Sequence, residues 1–171
     1  MASSVKVYLR TRPTDNVQGS FTCVPLETGV LEFGTVTKDK RDDPDAVDPA
    51  MIDPEVFAAE WKYDGIRVQA VSERGTRRIY TRTGDDISHT FPDVLAGMDF
   101  DAAIDGELLI RAPNGEVAPF NDLQQRLNRK TVSKKQMETR PAFIRAYDIL
   151  VDGGEDLRTL PFRDRRARLE D

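Results

Sequence analysis

The sequence predicts an α+β fold in which antiparallel sheets pack against a few helices. Short runs of residues alternate between apolar and polar, hairpin turns join these runs, and the helical stretches between them are short. Strands joined by turns build antiparallel sheets, whereas regularly alternating strands and helices build parallel ones. The chain has 171 residues, which suffice for one domain with its own core or for part of a larger domain.

The first 40 residues contain two β-like runs, at 5–10 and 29–36, with turn-forming residues between them. From 38 to 54 the sequence becomes acidic and rich in proline, which is typical of a solvated connector. We therefore predict a boundary near residue 40, with 1–40 as a β-like segment of unassigned origin and 41–171 as the second part of the chain.

The middle of the chain reads as a hairpin that follows a short extended segment. A helix or turn is predicted to begin at Pro54, and residues 58–62 are predicted to be extended. Alternation at 66–70 indicates a half-buried strand, a turn follows at 73–75, and 77–82 is its hairpin partner.

The second half of the chain adds two strands and two helices. Residues 102–110 form an apolar strand that a turn at 113–115 closes. The spacing of apolar residues predicts a helix over 120–127, a strand over 142–150 and a helix over 162–169.

Composition excludes several kinds of site. A formal net charge of -5 argues against a protein that coats duplex DNA by bulk electrostatics. With one cysteine, Cys23, and one histidine, His89, an internal disulfide and a multi-histidine metal site are excluded. Any metal must therefore be held by carboxylates and ligand phosphates. We expect no membrane partner and a cytoplasmic location, since no apolar run reaches the roughly 18 residues of a membrane span.

The stretch that carries chemistry is EWKYDGIR, in which Lys62 precedes an Asp-Gly turn and Arg67. A free lysine has a pKa of about 10.4 and is a poor nucleophile at neutral pH until its proton is removed. Burial, the neighbouring Arg67 or a metal would lower the pKa, and a nucleotide phosphate would supply the electrophile. By itself the motif equally describes a surface turn with an ion pair.

Five further motifs follow in order. After K-x-D-G-x-R come R-x-G at 82–84, D-G-E at 105–107, F-x-x-L-Q-x-R within 120–130, Tyr-Asp at 147–148 and L-P-F-x-x-R-R-x-x-L-E at 160–170. Together they resemble the nucleotidyltransferase domain of ATP-dependent DNA ligases, particularly the bacterial type, over residues 41–171. The resemblance implies the N-terminal part of an adenylation domain, with a partial nucleotidyltransferase (ATP-grasp-like) fold.

The resemblance also implies a mechanism and partners. The Lys62 amine attacks the α-phosphate of ATP, and the resulting AMP passes to the 5′-phosphate of a nick that the 3′-hydroxyl then seals. ATP and Mg²⁺, or another divalent cation, are the implied cofactors, and nicked double-stranded DNA is the implied partner. DNA repair, recombination and replication are the implied processes, with nucleoid association in a bacterium.

Five site residues are expected besides Lys62. Glu60 is expected to contact adenine, although an exposed carboxylate is an equal alternative. Arg67 and Arg82 are expected to contact ribose, phosphates or the 5′-phosphate of the nick; surface ion pairs are their alternative. Glu107 is expected to contact ribose or the metal, with a buried carboxylate in an apolar strand as its alternative. Tyr147 is expected to stack on adenine unless it packs in the core.

Two further expectations concern backbone and charge. Asp64 and Gly65 are expected to shape the turn, where glycine permits a positive φ. A basic cluster is a candidate to line the DNA backbone, with a solvated helix face as the alternative. Its members are Arg126, Arg129, Lys130, Lys134 and Lys135.

The chain departs from the family in what it lacks. Neither the E-G-x-x-x-K motif nor the later K-x-K motif occurs, nor does the oligonucleotide-binding-fold domain that usually follows, and 1–40 does not read as a helical DNA-binding domain. We therefore expect an incomplete adenylation domain with weak or no self-adenylylation and no nick sealing alone. RNA ligation, mRNA capping, and inert binding of nucleotide or nicked DNA remain alternatives.

Overall fold

The computed structural model describes residues 20–25, 36–37, 57–61, 63–127, 129 and 131–171. The chain divides into two compact units. The first comprises Met1–Tyr63 and Leu160–Asp164, and the second comprises Asp64–Thr159 and Arg165–Asp171. No helix in the described ranges is long and apolar enough to cross a membrane.

The first unit contains an antiparallel sheet in the order β2-β1-β3. Its strands are β1 (Ser20–Pro25), β2 (Val36–Thr37) and β3 (Phe57–Trp61). Strand β3 confirms the extended segment predicted at 58–62, and strands from both sides of residue 40 share this sheet. The runs predicted at 5–10 and over most of 29–36, and the turn at Pro54, lie outside the described residues, and the boundary stays a prediction.

The second unit is built on a five-stranded sheet in the order β5-β4-β6-β7-β8, with every neighbouring pair antiparallel. This confirms the α+β class. The strands are β4 (Ile66–Glu73), β5 (Thr76–Thr81), β6 (Ala102–Ile110), β7 (Ala142–Asp152) and β8 (Glu155–Asp156). The hairpin turn between β4 and β5 has positive φ at Arg74 and Gly75, the pattern of a type I′ turn.

One face of this sheet is apolar and carries the main core. Alternate residues of β4, among them Val68 and Ala70, point to that face together with Leu108 and Ile110 of β6. Helices α1 (Pro92–Ala96) and α2 (Phe120–Leu127) contribute residues that pack there. The helix predicted at 120–127 is confirmed with the same bounds. Burial of these side chains is the main favourable contribution to folding of the unit.

A second apolar cluster lies toward the end of β7. Leu169 of helix α4 (Phe162–Glu170) packs against it. Its buried members are Ala102, Ile149 and Leu157. On the same helix, Arg165 is buried and grips Asp148 with two hydrogen bonds, from Nε to Oδ1 at 2.9 Å and from an Nη to Oδ2 at 2.8 Å. This two-point pair fastens the last helix to β7.

Strand β1, which falls between the two runs predicted in the first 40 residues, was not predicted, and neither were four other short elements. Those four are a 3-10 helix (Ser88–Thr90), α1, α3 (Lys134–Thr139) and β8. Helix α3 has no buried residue, so apolar periodicity gave no signal for it. The sequence nevertheless carries the signature of a capping box, with Gln136 three residues after Ser133. In the structure the Ser133 side chain accepts a hydrogen bond from the Gln136 N–H, and the Gln136 side chain accepts one from the Ser133 N–H.

Candidate functional site

The second face of the five-stranded sheet is polar, and three strands bring charged residues together there. The register sets Gln69 of β4 opposite Asp105 of β6, and Arg67 opposite Glu107. Asp105 in turn lies opposite Asp148 of β7. Residues that are directly paired across an antiparallel sheet share a face. The D-G-E carboxylates therefore lie on the same face as the arginine of K-x-D-G-x-R.

Arg67 contacts Asp105 and Tyr147 on this face. An Nη atom lies 3.5 Å from Oδ2 of Asp105, and the guanidinium carbon lies 6.0 Å from the centroid of the Tyr147 ring. The Arg67 side chain is 60% exposed, so its charge reaches solvent. Tyr147 raises the pKa of Arg67 most, burial lowers it, and Asp105 and Glu107 raise it further, with a net shift upward. Arg67 is therefore a permanently charged cation that a ligand can reach.

Tyr147 sits at a break in the strand pairing. The register passes from Asp105 opposite Asp148 to Gly106 opposite Ala146, which leaves Tyr147 as the extra residue of a β-bulge. Bulges turn side chains away from regular alternation and are common beside functional sites. The ring consequently lies near Arg67. The structure thus brings together Arg67 and Tyr147, two of the expected site residues.

Two motif glycines are required by close packing of strands. A Cβ on Gly106 would lie 2.5 Å from Cγ2 of Ile144 and 2.8 Å from the carbonyl oxygen of Arg145. A Cβ on Gly65 would lie 2.5 Å from the carbonyl oxygen of Leu108. The expectation of a positive φ at Gly65 was wrong, since the positive-φ glycines are others, and contact with β6 is the reason for this glycine instead.

A cleft of about 480 Å³ opens beside Arg67. Two arginines and one carboxylate give it a mixed but mainly cationic lining, which suits a phosphate-bearing ligand. The residues that line it are Arg67, Val68, Gln69, Tyr80, Thr81, Arg82, Gly84 and Asp105.

Arg82 reaches the cleft from a tight loop after β5. The loop is closed by hydrogen bonds from the Gly84 N–H to the Thr81 carbonyl and from the Thr81 N–H to the Asp85 carbonyl, both at 2.9 Å. The side chain of Asp85 accepts hydrogen bonds from Thr81 and Thr83. This carboxylate is bound within its own loop, and Arg82 is exposed and lines the cleft.

Glu60, in the first unit, is 7% exposed, which makes the alternative of a simple exposed carboxylate wrong. The next residue, Trp61, has half of its surface exposed. Lys62 itself lies outside the described residues. Its role and the adenine contact of Glu60 therefore stay predictions.

Comparison with known proteins decides the family. Residues 44–171 match the sequence model of the family described as ATP dependent DNA ligase domain. The chain belongs to this family. The DNA ligase of Pyrobaculum calidifontis is 36% identical over 118 residues, which cover 66% of this chain and 20% of the relative. The DNA ligase of Haloarcula marismortui is 30% identical over 149 residues, 85% of this chain and 27% of the relative.

A solved structure supports the fold of the ligase domain. The mycobacterial DNA ligase D complexed with ATP and MES superposes with a TM-score of 0.50 and 19% identity, covering 97% of this chain and 42% of that one. At this identity the likeness concerns the fold alone. Like the two curated relatives, this neighbour is much longer than the chain.

The ligase domain also carries a buried arginine–aspartate pair on the apolar face, and it overturns one expectation. Arg126 is 1% exposed and binds both carboxylate oxygens of Asp93, at 2.8 and 2.7 Å. It also donates to the carbonyls of Thr90 and Arg140 and lies 4.7 Å from the centroid of the Phe91 ring. The proposal that Arg126 lines DNA was therefore wrong, because its donors face the protein interior.

The rest of the basic cluster is divided. Arg129, Lys134 and Lys135 are exposed, and Lys130 lies outside the described residues. An exposed cation is compatible with phosphate contact and equally with a solvated face. DNA contact by these residues stays a prediction.

No group of three or more metal-binding side chains occurs in the described part of the ligase domain. Mg²⁺ needs fewer protein ligands than that, since it keeps several waters and is commonly held by one or two carboxylates and substrate phosphates. Glu107, on the polar face opposite Arg67, offers one hard oxygen donor group of the required kind. The residues fit such an ion.

Proposed function

We propose that this chain carries the adenylation chemistry of an ATP-dependent DNA ligase. In this reaction the Lys62 amine attacks the α-phosphate of ATP, a P–N bond forms as the bond to pyrophosphate breaks, and the lysine loses its proton. The observation that carries the proposal is the arrangement of Arg67 and Tyr147 on one sheet face, beside a cleft that Arg82 also lines.

The cleft suits the phosphates of a nucleotide, and the Tyr147 ring, which lies beside Arg67 and is not part of the cleft lining, suits its base. A flat aromatic ring such as that of Tyr147 stacks on a base, and guanidinium groups bind phosphate oxygens through paired donors. Arg67 and Arg82 would stabilise charge on the phosphates as it develops in the transition state. Membership of an ATP-dependent family supports ATP as that nucleotide.

Mg²⁺ and nicked DNA belong to the proposal as well. Glu107 would hold a divalent cation together with ligand phosphates, and the cation would supply neutralisation of phosphate charge. The chain spans 20% to 27% of the length of the two DNA ligases above, so nick sealing is proposed for the whole protein of which such a domain is part.

A binding measurement tests the nucleotide site. We expect calorimetry of the purified chain with ATP and Mg²⁺ to detect binding that Arg67→Ala and Arg82→Ala each weaken by about tenfold. Arg129→Ala is the matched control, because this exposed arginine is not among the residues that line the cleft. A chain that does not bind ATP would contradict the proposal.

A labelling experiment tests the chemistry. The chain is incubated with Mg²⁺ and ATP or GTP labelled at the α-phosphate, and acid-labile label on the protein is counted. We expect weak label from ATP and no sealing of a nicked duplex by the chain alone. Any label must disappear in Lys62→Ala; equal label in that variant overturns the lysine assignment. Preference for GTP would favour capping, and bound ATP without label would favour an inert binding module.

A further inference from the structure

We propose that Asp105, held in place by Gln69, is a positioning residue that orients the Arg67 guanidinium toward the cleft. The identity of the ligand, a nucleoside triphosphate, rests on the proposed function. The positioning itself rests on geometry within one sheet.

The two oxygens of Asp105 have separate contacts. Oδ1 accepts a hydrogen bond from the Gln69 amide at 3.2 Å, and Oδ2 lies 3.5 Å from an Nη atom of Arg67. Gln69 lies directly opposite Asp105 in the register of β4 and β6. The amide contact therefore fixes the direction of the carboxylate, and the carboxylate sets where the guanidinium lies.

The exposures of the pair suit this arrangement. The Asp105 side chain is 18% exposed, so it is the anchored partner, whereas the more exposed Arg67 is the partner that solvent and ligands reach. A guanidinium carries five N–H donors, and a single 3.5 Å contact occupies few of them. Arg67 is thus oriented by Asp105 and can still bind phosphate.

Asp105 itself is unsuited to direct contact with a phosphate. It is one of the residues that line the cleft, and like charges repel strongly where water is partly excluded. Its favourable effect on an anionic ligand must therefore act through the cation it holds. This predicts that the effect of Asp105 depends on the presence of Arg67.

The first test needs no ligand. NMR relaxation of the Arg67 Nε–Hε group in the full chain measures the order of the guanidinium. We expect Asp105→Asn to lower this order, Gln69→Leu to lower it less, and Asp99→Asn, an exposed control, to leave it unchanged. An Arg67 that is as ordered in Asp105→Asn as in the parent chain would overturn the proposal.

The second test is a double-mutant cycle in ATP affinity. We expect Asp105→Asn to weaken ATP binding by about fivefold in the parent chain and to have no effect in the Arg67→Met background. A general structural loss would weaken binding equally in both backgrounds, and that result would overturn the proposal. A parent chain without ATP affinity would refute the proposed function, while the NMR measurement would still decide whether Asp105 positions Arg67.

Discussion

Two arginine–aspartate pairs lie on opposite faces of one sheet and differ in almost every respect. Arg126 is enclosed, binds both oxygens of Asp93 and donates to two backbone carbonyls. Arg67 is exposed and meets Asp105 at one longer distance. The first pair neutralises a buried guanidinium whose Nη donors are all engaged, although its Nε has no hydrogen-bond partner among the described residues, and the second orients a cation toward a ligand. Burial and donor occupancy, more than charge, separate a structural arginine from a candidate binding arginine.

The largest effect is expected from Arg126→Met. Removing this guanidinium leaves Asp93 partly buried without its charged partner and releases the contacts to Thr90 and Arg140. We expect the free energy of unfolding to fall by about 3 to 5 kcal/mol, measured by urea denaturation followed by circular dichroism. The matched substitution Arg67→Met should change it by less than about 1 kcal/mol. Equal losses in the two variants would contradict the distinction between the pairs.

ATP affinity should depend on Arg67 more than on Arg126, the reverse of the order expected for stability. Arg67→Met is expected to weaken ATP binding by about tenfold, since a charged hydrogen-bond donor to phosphate is lost. Arg126 is enclosed, and each of its engaged donors binds a protein oxygen. These donors are therefore not available to a ligand in the cleft. The milder variant Arg126→Lys, studied at a temperature where it is folded, should keep the parent affinity in calorimetry. Loss of affinity in that folded variant would refute the division of roles.

The pH dependence of stability should come partly from the buried pair. Burial by itself raises the pKa of Asp93, but hydrogen bonds from Arg126 and from the Ala142 N–H more than offset this and leave the pKa below its ordinary value. A carboxyl with a lowered folded pKa contributes stability above its unfolded pKa of about 3.9, and this is lost as the pH falls through the folded pKa.

We therefore expect acid to destabilise the parent chain more steeply below about pH 4 than it destabilises Asp93→Asn. Urea midpoints measured at intervals from about pH 6 to about pH 2 would give the pH dependence of stability for both chains. The control is Asp99→Asn, an exposed change that should follow the parent curve. Parallel curves for the parent and Asp93→Asn would exclude a contribution from Asp93.

The sequence anticipated the regular elements better than the pairs. Residues 102–110 and 120–127 were predicted with their observed bounds, because the first is a mainly apolar run closed by a turn and the second has clear helical spacing. Helix α1 has only five residues and no buried one, which left no period to detect. The bulge at Tyr147 depends on the pairing of β6 with β7, and that is invisible in a single strand.

The burial of Arg126 did leave a signal in the sequence. It comes three residues after Leu123 and one before Leu127, so helical spacing places it at the margin of the apolar stripe of α2. The predicted basic cluster joined Arg126 to the lysines that follow on the ground of charge alone, without this spacing. A basic residue within an apolar stripe should be considered first as a buried ion pair when an acidic residue is available elsewhere in the fold.

The smallest expected effect concerns Arg74, which represents a third kind of arginine. Its only ion pair within the described residues, to Glu73 at 3.8 Å, is exposed on both sides and contributes little. Its φ of 49° lies in the left-handed region, which costs an ordinary side chain energy that asparagine partly avoids. We expect Arg74→Asn to raise the free energy of unfolding by about 0.5 kcal/mol without changing ATP affinity. Arg78→Asn, at a strand position with an Asp86 partner at 3.5 Å, is the control and should give no such gain. Destabilisation by Arg74→Asn would show that the exposed pair with Glu73 contributes more to stability than the left-handed φ costs. Solvent exposure would then no longer distinguish the structural arginines of this molecule from the others.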